Sequence, residues 1–430
     1  MEIKISTFLK ERQDRFKPDE ANKLNLKRLQ KIDFSGNMHF LENKKTNTNM
    51  ILIKSGDLVV SGINVEKGAV AVYQGDKDVL ATIHYSSYEF DENKIDINYF
   101  KWFLKSDAFR KAVQSQTRGG IKTELKPKKF LPLEIDLPNI EEQKQILSKI
   151  NKVENEIKQL ETNISKDKKL LTSLKQSILS EAVQGKLVPQ NPKDEPASEL
   201  LKKIKKEKEK LIKEGKIKKQ KLLPEISEDE MPYDLPEGWV WARLGNLVSI
   251  LGDGIHGTPK YTKDGECFFV NGNNLENGKI VIRENTKRVS EEECLKHNRP
   301  LNENSVLVSI NGTIGNVAFY NNEKIMLGKS ACYFNLLNMI DKKYIRLLIE
   351  TNYFMDYALH SATGTTIKNV SLLAMRMFSV PLPPLPEQKR IVEKVDALMK
   401  FCDELELRIK ENKKNSNDLM TSVLNEVFSF

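Results

Sequence analysis

The stretch that decides the fold is residues 137–185, LPNIEEQKQILSKINKVENEIKQLETNISKDKKLLTSLKQSILSEAVQG. It opens on a Leu-Pro pair and a Glu-Gln-Lys triplet, then continues without proline or glycine until Gly185. Residues 382–430, LPPLPEQKRIVEKVDALMKFCDELELRIKENKKNSNDLMTSVLNEVFSF, repeat these features at a constant offset of 245 residues. A repeat of this length is a duplicated module, and duplication implies pseudo-twofold symmetry.

Apolar residues recur in both copies at alternate steps of four and three, which is the a/d pattern of a coiled coil. A polar residue interrupts the pattern at the same place, Asp167 in one copy and Asn412 in the other. We predict two long helices that pack against each other; a homodimer seam and a helix bundle in a globular core are the alternatives. The predicted seam consists of Ile146, Ile150, Val153, Ile157, Leu160, Ile164, Leu171, Leu174 and Ile178, and of Ile391, Val395, Leu398, Cys402, Leu405, Ile409, Leu419 and Val423.

The duplication extends to the globular sequence before each helix. Residues 58–73 and 306–320 both have the pattern of a strand, a turn rich in glycine or asparagine, and a second strand. Asp96 and Asp341 then precede short amphipathic segments and are predicted to be helix N-caps. We therefore expect two related globular domains, each followed by a long helix.

Composition favours a soluble protein of two or three domains. The 430 residues contain no run of 18 apolar residues, and the charged start Met1–Lys4 does not resemble a signal peptide. The four cysteines form no CxxC pair, which fits a reducing cytoplasm. The net charge of +9 is concentrated in Glu199–Lys221, where eleven lysines face four glutamates. This segment is predicted to be a helical arm that is merely solvated, in contact with nucleic acid or packed on the helix pair.

Motifs for catalysis or cofactor binding are weak or missing. Residues 252–257 match GxGxxG, but the sequence after them predicts a loop instead of the helix that a dinucleotide site needs. The chain has no Walker A sequence, no (D/N)PP(Y/F) tetrapeptide and no HxxxH spacing. We therefore predict no catalytic residue, bound cofactor or metal site. His256, Lys260 and Tyr261 are instead candidates for a ligand-facing loop, with an ordinary turn as the alternative.

Two loops combine hydroxyls, glycines and cations, at residues 117–122 and 363–368. Glycine lets a backbone approach a phosphate closely, hydroxyls and amides bond its oxygens, and Lys or Arg neutralises its charge. A polar turn before the next strand is the alternative. The candidate DNA contacts are Arg118, Gly119, Gly120, Lys122, His256, Lys260, Tyr261, Asn311, Gly312, Thr313, Thr363, Gly364, Thr365, Thr366 and Lys368.

Together with these features, Leu235–Trp239, the paired helix entrances Leu137–Gln143 and Leu382–Gln388, and Ser180–Gln190 resemble the DNA specificity subunit of type I restriction-modification systems. The resemblance implies an α+β fold with two globular α/β target-recognition domains and two long helices that form an antiparallel coiled coil with pseudo-twofold symmetry. The implied segments are a first recognition domain (1–138), a first helix (139–187), a linker with the lysine-rich helix (188–234), a second recognition domain (235–384) and a second helix (385–430).

The same resemblance implies a non-catalytic, cytoplasmic subunit that reads a bipartite, asymmetric DNA sequence, one half-site per domain. The helix pair would set the spacer and dock two modification subunits, which bind S-adenosylmethionine. Restriction subunits, which use ATP and magnesium, would join through them, and no membrane is involved. The alternative is a coiled-coil interaction scaffold that binds no DNA. The first domain has no counterpart of Leu235–Trp239 and is expected either to be shorter at its start or to begin differently.

Overall fold

The computed structural model describes residues 2–42, 45–116, 125–364 and 366–429. Its internal contacts divide the chain into two compact units. Unit 1 comprises Met1–Asp167 and Arg408–Phe430, and unit 2 comprises Lys168–Leu407. Each unit therefore contains one globular domain and a part of both long helices. None of the helices in the described ranges is long and apolar enough to cross a bilayer.

The two longest helices follow the two copies of the repeat. The α-helices are α1 (Pro18–Lys23), α2 (Ile97–Phe103), α3 (Asp107–Gln116), α4 (Pro127–Phe130), α5 (Ile140–Val183), α6 (Ala197–Lys213), α7 (Leu244–Leu247), α8 (Glu291–Lys296), α9 (Lys342–Ile349), α10 (Asn352–Ser361), α11 (Leu372–Met377) and α12 (Leu385–Val427). Asn139 begins α5 by accepting backbone hydrogen bonds from Glu141 and Glu142. The helix ends before Gly185, whose φ of +68° suits a residue without a Cβ.

Unit 1 is built on two larger sheets and a strand pair. Its strands are β1 (Glu2–Lys4), β2 (Leu9–Glu11), β3 (Arg15–Phe16), β4 (Arg28–Ile32), β5 (Met38–Leu41), β6 (Met50–Ile53), β7 (Leu58–Ser61), β8 (Val70–Val72), β9 (Val79–Thr82), β10 (Tyr85–Phe90) and β11 (Glu134–Asp136). They form sheets in the orders β2-β10-β7-β8, β3-β6-β9-β4-β5 and β1-β11. Strand β7 is buried on both faces: Leu58 and Val60 join the core with α2 and α3, whereas Val59 joins the core with β4 and β6. This double burial explains its continuous apolar run.

Unit 2 repeats part of this arrangement. Its strands are β12 (Val240–Arg243), β13 (Val248–Asp253), β14 (Tyr261–Thr262), β15 (Cys267–Val270), β16 (Leu275–Glu276), β17 (Lys279–Ile280), β18 (Arg288–Val289), β19 (Ser305–Ser309), β20 (Val317–Phe319), β21 (Ile325–Leu327), β22 (Ala331–Leu336) and β23 (Ser379–Leu382). The order β13-β22-β19-β20 matches β2-β10-β7-β8, and the pair β12-β23 matches β1-β11. The sheets β14-β18-β15-β21 and β16-β17 complete the unit.

The predicted local elements are present in both units. Strands β7 and β8 pair antiparallel, as do β19 and β20, which confirms the two strand-turn-strand predictions. The Asp96 carboxylate accepts hydrogen bonds from the amides of Asn98 and Tyr99, and that of Asp341 accepts one from the amide of Lys343. Both predicted N-caps are thus confirmed. They begin α2 and α9, the helices that pack beside the equivalent sheets.

A buried glutamine joins each globular domain to its long helix. In unit 1, Gln143 accepts a hydrogen bond from the Asp96 amide at 2.7 Å and donates to the Pro138 carbonyl at 2.9 Å. In unit 2, Gln388 accepts from the Asp341 amide at 2.8 Å and donates to the Pro383 carbonyl at 3.0 Å. We call this pair of contacts the glutamine joint. It explains why the repeat places glutamine in the first turn of both helices.

The entrance to the second helix has an additional cover. Trp239 donates from its indole Nε1 to Glu387 at 3.1 Å, and Glu387 is buried. Burial raises the pKa of the Glu387 carboxyl. The equivalent Glu142 is exposed and accepts a hydrogen bond from the Asn139 amide at 3.0 Å. Trp239 therefore helps to shield the carboxylate at the second helix entrance from water.

Fewer residues are buried along the long helices than the predicted seam contains. Ile150, Ile164, Leu171, Ile178, Ile391, Val395 and Cys402 are buried, and Ile146, Val153, Ile157, Leu398, Leu405, Ile409 and Val423 are partly buried. Leu160, Leu174 and Leu419 differ from the prediction, with exposed fractions of 45, 42 and 40 %. Near its end, α12 instead buries Leu424 and Phe428 in the core of unit 1. A straight helix has a period of 3.6 residues, so its buried face rotates slowly away from positions spaced by a strict heptad. The buried residues near the end of α12 are shifted in this way.

The lysine-rich arm is not simply a solvated helix. Ala197, Leu200 and Ile204 on one side of α6 are buried. Lys208 donates to the Gly245 carbonyl at 2.6 Å, and burial lowers the pKa of Lys208 to about 8. This arm therefore packs against the globular domain of unit 2, while most of its lysines lie on the exposed face.

Arg243 anchors the acidic segment before the second domain. Its side chain is buried and pairs with Glu230 through bonds of 2.6 and 2.7 Å. It also donates to the carbonyls of Glu225 and Met377. The hydrogen bonds from Arg243 lower the pKa of Glu230 to about 2.

We predict that Glu230→Gln lowers the free energy of unfolding by about 1–3 kcal/mol at neutral pH, because Arg243 loses its counter-charge. A depressed carboxylate pKa stabilises the fold above the unfolded value of 4.5, and this contribution is lost as the pH falls toward about 2. In denaturant unfolding between pH 7 and pH 2, the free energies of unfolding of the wild type and of Glu230→Gln should therefore become equal as the pH falls. The exposed neighbour provides the control Glu228→Gln; a constant difference across this range would contradict the assignment.

We also predict that Gln143→Ala lowers the free energy of unfolding by about 1–3 kcal/mol, because the Asp96 amide and Pro138 carbonyl lose their partner. Gln145→Ala is the matched control, since Gln145 lies on the same turn of α5 with an exposed side chain. Equal stability of the two variants in chemical denaturation would show that the glutamine joint contributes nothing.

Candidate nucleic-acid interface

The loop after β19 is held in shape by a buried serine. Ser309 donates its amide to the Asn316 carbonyl at 2.9 Å, and its carbonyl and hydroxyl accept the amides of Gly315 and Asn316, each at 2.9 Å. Gly312 at the tip has a φ of +75°, a conformation that glycine adopts without strain. Gly312 and Thr313 are exposed, whereas Asn311 is half-buried.

The predicted loop at residues 363–368 lies directly beside this tip. Thr363 and Asn369 exchange two backbone hydrogen bonds of 2.9 Å and close the loop at its base. The Asn311 side-chain amide donates to the Asn369 side-chain carbonyl at 3.0 Å, and the Gly312 backbone amide donates to the Lys368 carbonyl at 3.2 Å. Thr363, Gly364, Thr366 and Lys368 are exposed, and Thr365 lies outside the described residues. The structure therefore brings these two predicted groups together.

The loop after β13 reaches the same end of the sheet. The Ile255 amide donates to the Leu327 carbonyl at 2.8 Å, and the Ile310 amide donates to the Ser330 carbonyl at 3.0 Å. Residues 327–331 thus carry both loops. Gly254 lies so close to the Leu327 carbonyl that a Cβ would approach its oxygen to 2.1 Å. Only glycine fits there, which gives the GxGxxG pattern a structural explanation without a cofactor.

The remaining predicted residues of this loop are exposed. His256 contacts the Asp253 carboxylate with its Nε2 at 2.8 Å. Lys260 is exposed, and the Tyr261 ring packs edge-on against Phe269 at a centroid distance of 5.7 Å. Tyr261 belongs to the short strand β14, so no helix begins after the glycines. The prediction of a loop directly after the glycines is confirmed, because residues 258–260 form neither helix nor strand.

An amide-rich cavity beside these loops was missed by the sequence motifs. It has a volume of about 440 Å³. Its lining residues are Tyr261, Phe269, Asn271, Asn273, Asn274, Glu276, Arg283, Asn285, Thr286 and Lys287. The Asn271 side chain accepts a hydrogen bond from the Ser330 hydroxyl at 3.1 Å, so the cavity wall is bonded to the segment 327–331 that holds both loops. Only the run Asn271–Asn274, rich in amides, could have signalled it.

The charge of this surface favours an anionic ligand. Within the described ranges, Lys260, Lys287, Lys329 and Lys368 form no ion pair. The carboxylates of Asp253 and Glu276 are engaged by His256 and Arg283, respectively. Unpaired lysines beside exposed hydroxyls and backbone amides are the groups that bind phosphate.

The corresponding predicted loop of unit 1 lies outside the described residues, and with it Arg118, Gly119, Gly120 and Lys122. The chain that follows it is attached as in unit 2. The Leu125 amide donates to the Gly62 carbonyl, just after β7, at 2.7 Å. The Val370 amide donates to the Ile310 carbonyl, just after β19, at 2.8 Å. The two chain segments thus rejoin equivalent strand ends.

The described part of the chain contains no cluster of three or more His, Cys, Asp or Glu side chains that could hold a metal ion. The assembled surface offers hydroxyls, amides, glycine backbone and lysines. These groups can bind phosphates and base edges.

The family model described as "Type I restriction modification DNA specificity domain" matches residues 16–167 and 236–413, which is more than half of the chain. The chain therefore belongs to this family of DNA specificity proteins, and the resemblance inferred from the helix entrances is confirmed.

Among curated relatives, the EcoAI specificity subunit of a type I restriction enzyme from Escherichia coli is 36% identical over 252 residues, covering 56% of this chain and 42% of that protein. The EcoEI specificity subunit, also from Escherichia coli, is 32% identical over 250 residues with the same coverage of 56% and 42%. The matched region therefore spans about two fifths of the length of these relatives.

A solved structure with a similar fold is the HsdS subunit from Thermoanaerobacter tengcongensis, with a TM-score of 0.54 at 16% identity, covering 100% of this chain and 96% of that one. A chain from a study of complex assembly and conformational transition in a type I R-M system gives a TM-score of 0.67 at 16% identity, with coverage of 100% and 97%. These likenesses support the mixed α/β fold with two globular domains. The individual contact residues stay predictions.

We predict that Lys368→Ala weakens binding of duplex DNA by the assembled complex. The plot of log affinity against log salt concentration should also be less steep, by about one unit of slope. The side chain is exposed, so the fold should persist. Lys296→Ala is the matched control, because Lys296 is an exposed lysine on α8, which packs at the opposite end of strand β21 through Cys294 and the Ile325 carbonyl. Titrations at several salt concentrations that give equal slopes for both variants would remove Lys368 from the interface.

Proposed function

We propose that this chain is the DNA specificity subunit of a type I restriction-modification complex and that each globular domain recognises one half of a bipartite, asymmetric target. The observation that carries the proposal is the repeated framework. Both units have a four-stranded sheet of the same order, and both attach it to a long helix through the glutamine joint. Two copies of one framework provide two recognition domains.

The two recognition domains differ in sequence in the loops that would contact DNA. Residues 117–122 are TRGGIK, and residues 363–368 are TGTTIK. The second domain also carries the amide-rich cavity. Because different side chains select different base edges, the two half-sites should have different sequences.

The two long helices act as the spacer in this proposal. Ile150, early in α5, shares a core with Leu424 and Phe428, late in α12. Lys175, late in α5, bonds Asp403 and Glu406 at 3.1 and 3.2 Å. These contacts support an antiparallel helix pair. With 44 residues, α5 is about 66 Å long, so a rigid pair would fix the number of base pairs between the half-sites.

The helices also supply the docking surface for partner proteins. Leu170, Leu174, Phe401 and Leu407 are large apolar side chains that remain exposed on α5 and α12. Exposed apolar groups bind a partner protein where they form one contiguous patch. We assign this surface to two modification subunits, which bring S-adenosylmethionine, and restriction subunits with ATP and magnesium join the complex. This chain supplies recognition in the cytoplasm, and the catalytic activities reside in the separate subunits.

The proposal is tested by co-expressing the chain with its modification subunit and mapping methylated adenines across the genome. We expect one split motif with two different halves and a constant gap. Cells that express the modification subunit alone are the control. Methylation that is independent of this chain, or that follows no split motif, would contradict the proposal. A scaffold that binds no DNA would also leave the purified complex without salt-sensitive affinity for duplex DNA.

A further inference from the structure

We propose that the amide-rich cavity of unit 2 is a base-reading site, in which Asn273 and Asn285 recognise an A·T pair of one half-site through the major-groove edge. The cavity holds about 440 Å³ and lies beside the loops of the candidate interface. This inference rests on the proposed function and specifies which residues of the second domain determine its half-site.

The polar groups of the cavity fall into two sets. The first set is already satisfied within the protein. The buried Asn274 donates to the Val281 carbonyl at 3.0 Å and accepts the Asn271 amide at 3.0 Å. Arg283 pairs with Glu276 and donates to the Asn273 carbonyl at 2.8 Å. These bonds fix the cavity wall before any ligand arrives, which reduces the entropy lost on binding.

The second set is available to a ligand. The side-chain amides of Asn273 and Asn285, the Lys287 ammonium and the Tyr261 hydroxyl make no hydrogen bond to the described residues. Asn273, Asn285 and Lys287 are exposed, and Tyr261 is 45 % exposed with its ring packed on Phe269. The cavity therefore combines free amides with one cation and one aromatic surface.

This chemistry fits a base better than a phosphate. A phosphate offers acceptors alone and is bound best by cations, but Glu276 neutralises the arginine of the cavity. A side-chain amide both donates and accepts, so it can form two hydrogen bonds with N6 and N7 of adenine. The Tyr261 ring supplies an apolar surface for the methyl group of a thymine. The single lysine, Lys287, can then contact the neighbouring backbone.

The position of the cavity agrees with this role. Asn271 in its wall accepts from the Ser330 hydroxyl, and the Ser330 carbonyl accepts the Ile310 amide at the start of the β19–β20 loop. That loop carries Gly312 and Thr313 and contacts Lys368. A duplex held by its phosphates on the loops would thus be adjacent to the free amides.

The test uses the double variant Asn273→Ala/Asn285→Ala in the complex with the modification subunit, followed by mapping of methylated adenines. We expect one half of the split motif to become degenerate at an A·T position. The preference for A·T over the other base pairs there should fall by a factor between about 5 and about 150. The other half and the gap should stay the same. Asn321→Ala is the matched control, because it removes an exposed amide from the turn between β20 and β21.

An unchanged motif in the double variant would overturn the inference, as would uniformly weaker methylation of an unchanged motif, which indicates a phosphate contact. Absence of any split motif with the wild-type chain would instead overturn the proposed function, and the inference with it. Thermal unfolding of the purified complex should give the same Tm for wild type and variant. If the double variant loses its fold, the single variant Asn285→Ala provides the same test.

Discussion

The structure depends on a glutamine in the first turn of each long helix. Gln143 and Gln388 are fully buried, and each accepts the amide of the aspartate that caps the neighbouring helix of its globular domain. An amide side chain suits this place because it satisfies a donor and an acceptor at once, and leaving either one unpaired in the interior is costly. The same bonds occur in both units, so the orientation of a domain on its own helix is set in the same way twice.

The variable chemistry lies at the strand ends, away from the glutamine joint. In unit 2, the loops after β13 and β19 are each bonded through the backbone to residues 327–331, and the loop closed by Thr363 and Asn369 is bonded to the loop after β19. Side chains at their tips can therefore change without disturbing the core. This division allows a repeated framework to carry two different recognition surfaces, as the proposed bipartite target requires.

Much of this architecture could be predicted from the sequence, because local signals determine it. Asp96 and Asp341 could be identified as N-caps from their position before an amphipathic segment. The contact between Asn311 and Asn369 could not, since nothing in the sequence relates residues 58 positions apart. The cavity was missed because asparagines without a motif are typical of any loop. Leu160 illustrates a different limit: heptad spacing gives the face of a helix but not how wide a stripe the partner covers.

The cover of Trp239 over Glu387 makes the two helix entrances unequal. The first entrance keeps its carboxylate, Glu142, in water, and the second keeps Glu387 in a dry environment with two side-chain donors, Trp239 and Gln190. Local opening is easiest where backbone hydrogen bonds are already hydrated. Amide protons at the start of α5 should accordingly exchange with solvent sooner than those at the start of α12, so a duplicated framework yields two attachments with different lifetimes.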